Sequence, residues 1–149
     1  MFFQVLITAH NILRWLVLAA AAWALIRAYR GWLGQRTYTA SDRQSGLVFS
    51  ILYDLQVALG ILLAITSPLV QAAFANLGNA MSVATLRFFV VEHIPLMLIA
   101  AAIIHVASAR AKKAADDRMR FRWEALGFTL ALLITILAIP WSRPLLRFG

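Results

Sequence analysis

Hydrophobic positions run almost unbroken through four stretches of this chain, and polar positions gather between them. The stretches cover about Val5–Tyr29, Gly46–Ser67, Leu86–Ala109 and Trp123–Trp141. Each is long enough to cross a hydrocarbon core, which takes roughly 20 residues at ~1.5 Å of rise per residue. Backbone polar groups in lipid must bond within their own segment, so such runs predict helices. A transmembrane barrel would alternate apolar and polar residues over shorter segments, and these runs do not. The pattern predicts an all-α transmembrane four-helix bundle, formed by residues 1–149 as one domain.

Composition strengthens that reading. The chain is 62% hydrophobic and 13% charged, where soluble domains are about half apolar and a quarter charged. A small soluble fold has too little interior to hide so much apolar surface. There is no cysteine, which excludes disulfides, thiolate metal sites and the C-x-x-C-H attachment of c-type haem. The N-terminal run has no basic region before it and continues past Trp23, so it reads as a first span rather than a cleavable signal.

The net charge of +8 sits in the loops. The first loop carries Arg30, Arg36 and Arg43, and the third carries Arg110, Lys112, Lys113, Arg118, Arg120 and Arg122. The second, from Pro68 to Thr85, has no charge. The positive-inside rule therefore puts loops one and three in the cytoplasm and both termini outside. Short loops make the first and second helices, and the third and fourth, antiparallel neighbours. Trp32, Trp123 and Trp141 fall where interfacial aromatics belong. The charge suits anionic lipid headgroups, and nothing in the chain resembles a nucleic-acid recognition module. The uncharged second loop can fold as a short helix on the outer surface. Ala19–Ala22 and Ala100–Ala102 are small-residue patches that allow close helix contact.

Ionisable residues within spans are costly and point to function. They are His10, Arg14, Asp54, Glu92, His93 and His105. Counting from the outer ends, His10 lies roughly 7 Å deep, Arg14 roughly 13 Å, and Glu92 and His93 roughly 9–10 Å. Gly60 falls in the same layer. Haem b needs two axial imidazoles from facing helices, an apolar slot and cations for its propionates. His10 and His93 are the candidate iron ligands, and Gly60 would let the ring approach the second helix. Arg14, Arg87 and Arg143 are candidate propionate partners. Pro95 removes one backbone hydrogen bond and would bend the third helix around a bulky ring.

Other roles stay open on the residues alone. Either histidine could hydrogen-bond another helix, and Arg14 with Glu92 could form a buried ion pair that sets helix register. Glu92, His93 and His10 could hold a non-haem metal. His105 lies ~18 Å along the helix from His93 and belongs to the inner half. Its nearest candidate partner there is Asp54, with Tyr53 and Gln56 adding polarity. No phosphate loop, H-E-x-x-H or G-x-S-x-G motif is present, so no catalytic activity is assigned.

The segments HNILRW, RFFVVEHIPLMLIA, SARAKKA and IPWSRPL resemble a family of small four-helix bacterial membrane proteins commonly labelled cytochrome b-like. The resemblance covers nearly the whole chain, with H-N-x-x-R-W and E-H-x-x-x-M its most specific parts. It implies a bacterial cytoplasmic membrane protein with His10, Arg14, Arg87, Glu92, His93 and Arg143 at family positions. Many relatives carry a histidine where this chain has Asp54, so the resemblance implies one outer haem b and not an inner one. The expected function is a membrane-embedded b-type cytochrome exchanging electrons with quinol or a larger redox complex. The alternatives are a cofactor-free accessory subunit of such a complex, and a proton or ion conduit using Asp54, Glu92 and the histidines.

Overall fold

The computed structural model describes residues 1–141. Among them are four helices long and apolar enough to cross a membrane: Phe2–Leu33, Ala40–Thr66, Ala84–Lys113 and Asp117–Ala138. Between the second and third lie two short helices, Pro68–Ala75 and Leu77–Ser82. The uncharged loop is thus helical, as its apolar sequence suggests. The first long helix packs on the second and fourth, and the third packs on the fourth. The second and third meet more loosely, and that seam holds the two sites described below.

The helices overrun the apolar stretches at the end that carries the basic loops. Apolarity marks where lipid stops, whereas Arg and Lys are good helix formers and carry the coil onward. The fourth helix stops earlier than its apolar run, because Pro140 disfavours helical geometry at the residue before it. Ile139 accordingly has ψ of 130°.

Packing is inverted relative to a water-soluble bundle. The interior is built from Ala20, Ala21, Ala24, Ala100, Ala107 and Ala131, wedged by Phe49 and Phe128. Large residues such as Trp15, Leu16, Ile26, Ile65 and Leu137 point outward. Lipid-facing Leu and Ile lose nothing by exposure to acyl chains, while small interior residues let backbones approach. Of the predicted alanine patches, only one face is used: Ala20 and Ala21 are buried and Ala19 and Ala22 are not.

The basic-loop end is firmly built. Thr39 and Asp42 form a capping box, with the Thr39 N–H donating to Asp42 Oδ2 at 2.8 Å. Arg27 Nη2 lies 2.7 Å from Asp42 Oδ1, tying the first helix to the second. Asp116 caps the fourth helix by accepting from the Met119 N–H. Tyr38 bridges the first loop to that helix. Its N–H donates to Asp117 and its hydroxyl donates to Glu124 Oε1 at 2.6 Å. Burial and the neighbouring Glu124 carboxylate push the Tyr38 hydroxyl well above the usual tyrosine range.

Asp42→Ala removes a cap and an ion-pair partner together. With Arg27 one-third exposed, the loss should be about 1–2 kcal/mol, near the ordinary worth of a cap. Reversible unfolding in mixed micelles should show this drop. Asp42→Asn, which keeps the acceptor oxygen, should recover part of it. Equal stability of all three proteins would remove Asp42 as the joint of this corner.

Candidate functional site

The third helix changes winding where the candidate ligand sits. Across Phe88–His93 the turns widen, and the Ile94 N–H bonds the Phe89 carbonyl five residues back. Pro95 lies immediately beyond and has no N–H to continue the regular ladder. Such widened turns recur at functional sites. Here His93 is the last residue of the widened segment. Its ring is flanked by Phe88 and Phe89, with centroids 6.0 and 5.8 Å away.

His10, Gly60 and His93 come together. All three line one cavity of about 220 Å³ whose walls are otherwise mostly apolar, with Tyr53 and Gln56 as polar exceptions. His93 Nδ1 lies 2.7 Å from the Ala138 carbonyl oxygen. A carbonyl only accepts, so in the neutral ring Nδ1 bears the proton and Nε2 keeps its lone pair. This is the arrangement that orients metal-ligating histidines. His10 Nδ1 is buried without a hydrogen-bond partner, as is Gln56 Oε1. The Gln56 amide instead donates to the His10 carbonyl at 3.0 Å, holding the second helix to the first beside the ring.

Gly60 has a more specific place than expected. A Cβ there would lie 3.4 Å from His10 Cε1. The missing side chain accommodates the histidine ring itself, not only the cavity beside it. Tyr53 supports the same floor. It donates to Thr135 at 2.8 Å, and Thr135 donates to the Ala131 carbonyl at 2.7 Å.

The predicted cations fall differently. Arg14 lines a small neighbouring void of about 30 Å³ together with His93, Gln56 and Thr135. Its guanidinium also lies 5.6 Å from the Trp15 ring centre. Arg87 pairs with Glu92 at 3.3 Å, both side chains being nearly half exposed. Glu92 thus has a partner one turn away on its own helix. Arg143 lies outside the described residues. Among the described residues, no three His, Asp or Glu side chains converge as a metal-binding group. The triad of Glu92, His93 and His10 is therefore not assembled.

His105 does find Asp54, with Nε2 2.8 Å from Oδ1. This pair lies on the other half of the loose seam. Sequence reasoning passed over Tyr38, Asp42 and Glu124. The T-A-S-D run at residues 39–42 is a readable capping box. No local pattern marks Glu124, whose partner is 86 positions away. No family model, curated protein or solved structure matches this chain.

Proposed function

We propose that this protein is a membrane-embedded b-type cytochrome holding one haem between His10 and His93. In this reading both termini face outward and the basic loops lie in the cytoplasm of a bacterium. The hairpins run antiparallel, and the haem lies in the outer half of the bilayer. The observation that carries the proposal is the paired presentation of two imidazoles to one apolar cavity. One imidazole is already oriented by a backbone carbonyl.

Bound there, haem b would supply single-electron transfer. The chain's part is to offer Nε2 of His93, keep its Nδ1 proton on Ala138, and seat His10 against Gly60. The apolar walls keep water from the site. Arg14 supplies positive charge close to His93, which favours an anionic substituent on that flank. Arg87 is engaged by Glu92 and would have to exchange that partner to serve a propionate. The cavity is smaller than the ~300–1,000 Å³ of typical ligand pockets, so loading requires the second and third helices to part at their seam. Their loose packing supports that motion. A single haem in one leaflet cannot carry electrons across the bilayer, so the donor or acceptor is quinol or a larger membrane redox complex.

A dithionite-reduced minus oxidised spectrum of protein made with ample haem, with a pyridine haemochrome assay, tests this directly. The expected result is a sharp α-band and about one haem b per chain. Absence of haem, in the protein's native complex as well, would replace this reading with a cofactor-free accessory subunit.

A further inference from the structure

The loose seam has a second opening, toward the basic loops. There a groove of about 490 Å³ runs between the second and third helices, with the fourth helix and first loop closing one wall. At ~30 Å³ per molecule it has room for on the order of ten or more waters. Arg43 and Lys112 stand at one end, and Asp54 with His105 at the other. Eleven residues of helix separate Arg43 from Asp54, or roughly 16 Å. Asp54 lies eight residues, or ~12 Å, into the apolar stretch that begins at Gly46, and His105 four residues, or ~6 Å, from the end of its own, so the pair lies within the inner half of the apolar layer.

The pair is poorly shielded by protein. The His105 side chain is 57% exposed and that of Asp54 49%. An ionisable pair facing acyl chains at this depth is expensive, and such residues normally face a hydrated cavity or a polar partner. The groove provides the former. Ser50 and Ser108 lie along it, each donating its hydroxyl to its own helix carbonyl at 2.9 Å. Ser108 is partly exposed and keeps its oxygen lone pairs open to the groove, while Ser50 is buried against it.

We propose that this groove is a water-filled proton inlet from the basic-loop side of the membrane to the Asp54–His105 pair. The Nε2–H of His105 donates to the Asp54 carboxylate. Its Nδ1 takes a proton from a hydronium in the groove, leaving water and an imidazolium balanced by Asp54. The reverse step returns the proton to groove water. The charged and titratable groups facing the path are Arg43 on the second helix, Lys112 on the third, Arg120 and Glu124 on the fourth, and Tyr38 from the loop. Glu124 is occupied by Tyr38, so Asp54 is the carboxylate at the inner terminus. This inlet stands whether or not the other cavity holds haem.

The chain has no cysteine, so single substitutions can be labelled without background. Ile51→Cys and Ser108→Cys, both lining the groove with Ile51 exposed, should react in membrane vesicles with a charged, membrane-impermeant thiol reagent applied from the basic-loop side only. Lys112→Cys should react from the same side. Val106→Cys, beside His105 but on an outward apolar face, should not react. In the unsubstituted protein, infrared or nitrogen NMR signals of labelled His105 should follow the pH of that side alone. Protection of both Ile51→Cys and Ser108→Cys while Lys112→Cys reacts would overturn the inlet and indicate a lipid or partner protein over the groove. Titration of His105 from the opposite side would overturn it equally.

Discussion

His93→Ala is expected to abolish haem retention, and His10→Ala to do the same, while His105→Ala keeps about one haem per chain. On the proposed ligation, no other side chain could replace either histidine. Among the described residues the only other histidine is His105, which is bound to Asp54 along the opposite half of the seam. A His93→Ala protein also loses its hydrogen bond to Ala138, one of the contacts holding the end of the fourth helix to the third. His10→Ala loses no such anchor, because its Nδ1 has no protein partner. The two variants should therefore differ in apo stability but agree in haem content. That separation distinguishes ligation from scaffolding. The readouts are a pyridine haemochrome on purified protein and thermal unfolding of the same samples. Equal haem in all three variants would sink the ligand assignment.

Layer arithmetic on the sequence brought His10, Gly60 and His93 together because helical rise is nearly constant. Depth along a helix can be counted from its end without knowing how helices pack. Rotation about the axis cannot be counted that way once the winding changes. The widened turn at Phe88–His93 breaks the regular period, so which way Glu92 and His93 point was not readable from spacing. Glu92 could be matched by depth with Arg14, yet it pairs with Arg87 five residues earlier. Backbone partners were equally hidden. The Ala138 carbonyl that orients His93 has no signature in side-chain sequence; Pro140 two residues later is the only hint. His105 and Asp54 were legible as an inner-half pair, since few polar residues share that depth. Their groove was not, because its width depends on how loosely the second and third helices meet.

The two halves of this seam differ in chemistry, and the difference is informative. Toward the first cavity the walls are apolar and the imidazoles have no carboxylate partner among the lining residues. Toward the basic loops most lining residues are polar or charged, and the imidazole is paired with an acid. A neutral imidazole with a free lone pair can ligate iron, and an imidazole paired with a carboxylate can exchange a proton through its other nitrogen. Tyr53 and Gln56 lie on the second helix between them, next to Asp54 in sequence. Under the two proposals the first cavity would serve electron transfer and the second proton exchange.

The third and fourth helices pack closely, and Gly127 tests that contact. A Cβ on Gly127 would collide with the Cβ of Ala107, which is itself only 2% exposed. The Ile103 carbonyl oxygen lies 3.9 Å from the same point, so the third-helix backbone leaves little room to retreat. Gly127→Leu should force the third and fourth helices apart, at or above the ~3 kcal/mol upper end for overpacked cores. Gly127→Ala should also destabilise, by less than leucine, because its single methyl already meets an Ala107 methyl fixed to the third-helix backbone. The intrinsic helix preference runs the other way, favouring alanine and leucine over glycine by up to ~1 kcal/mol. A destabilising result would therefore report packing and not propensity. Size-exclusion behaviour and thermal unfolding in one detergent should rank the proteins glycine, alanine, leucine in falling order. A leucine variant as stable as the parent would mean that the helices do not meet at this point. The Ala138–His93 contact depends on the same helix pair, so the leucine variant should also lose haem. His105 labelling behaviour need not change, because Asp54 approaches it from the second helix.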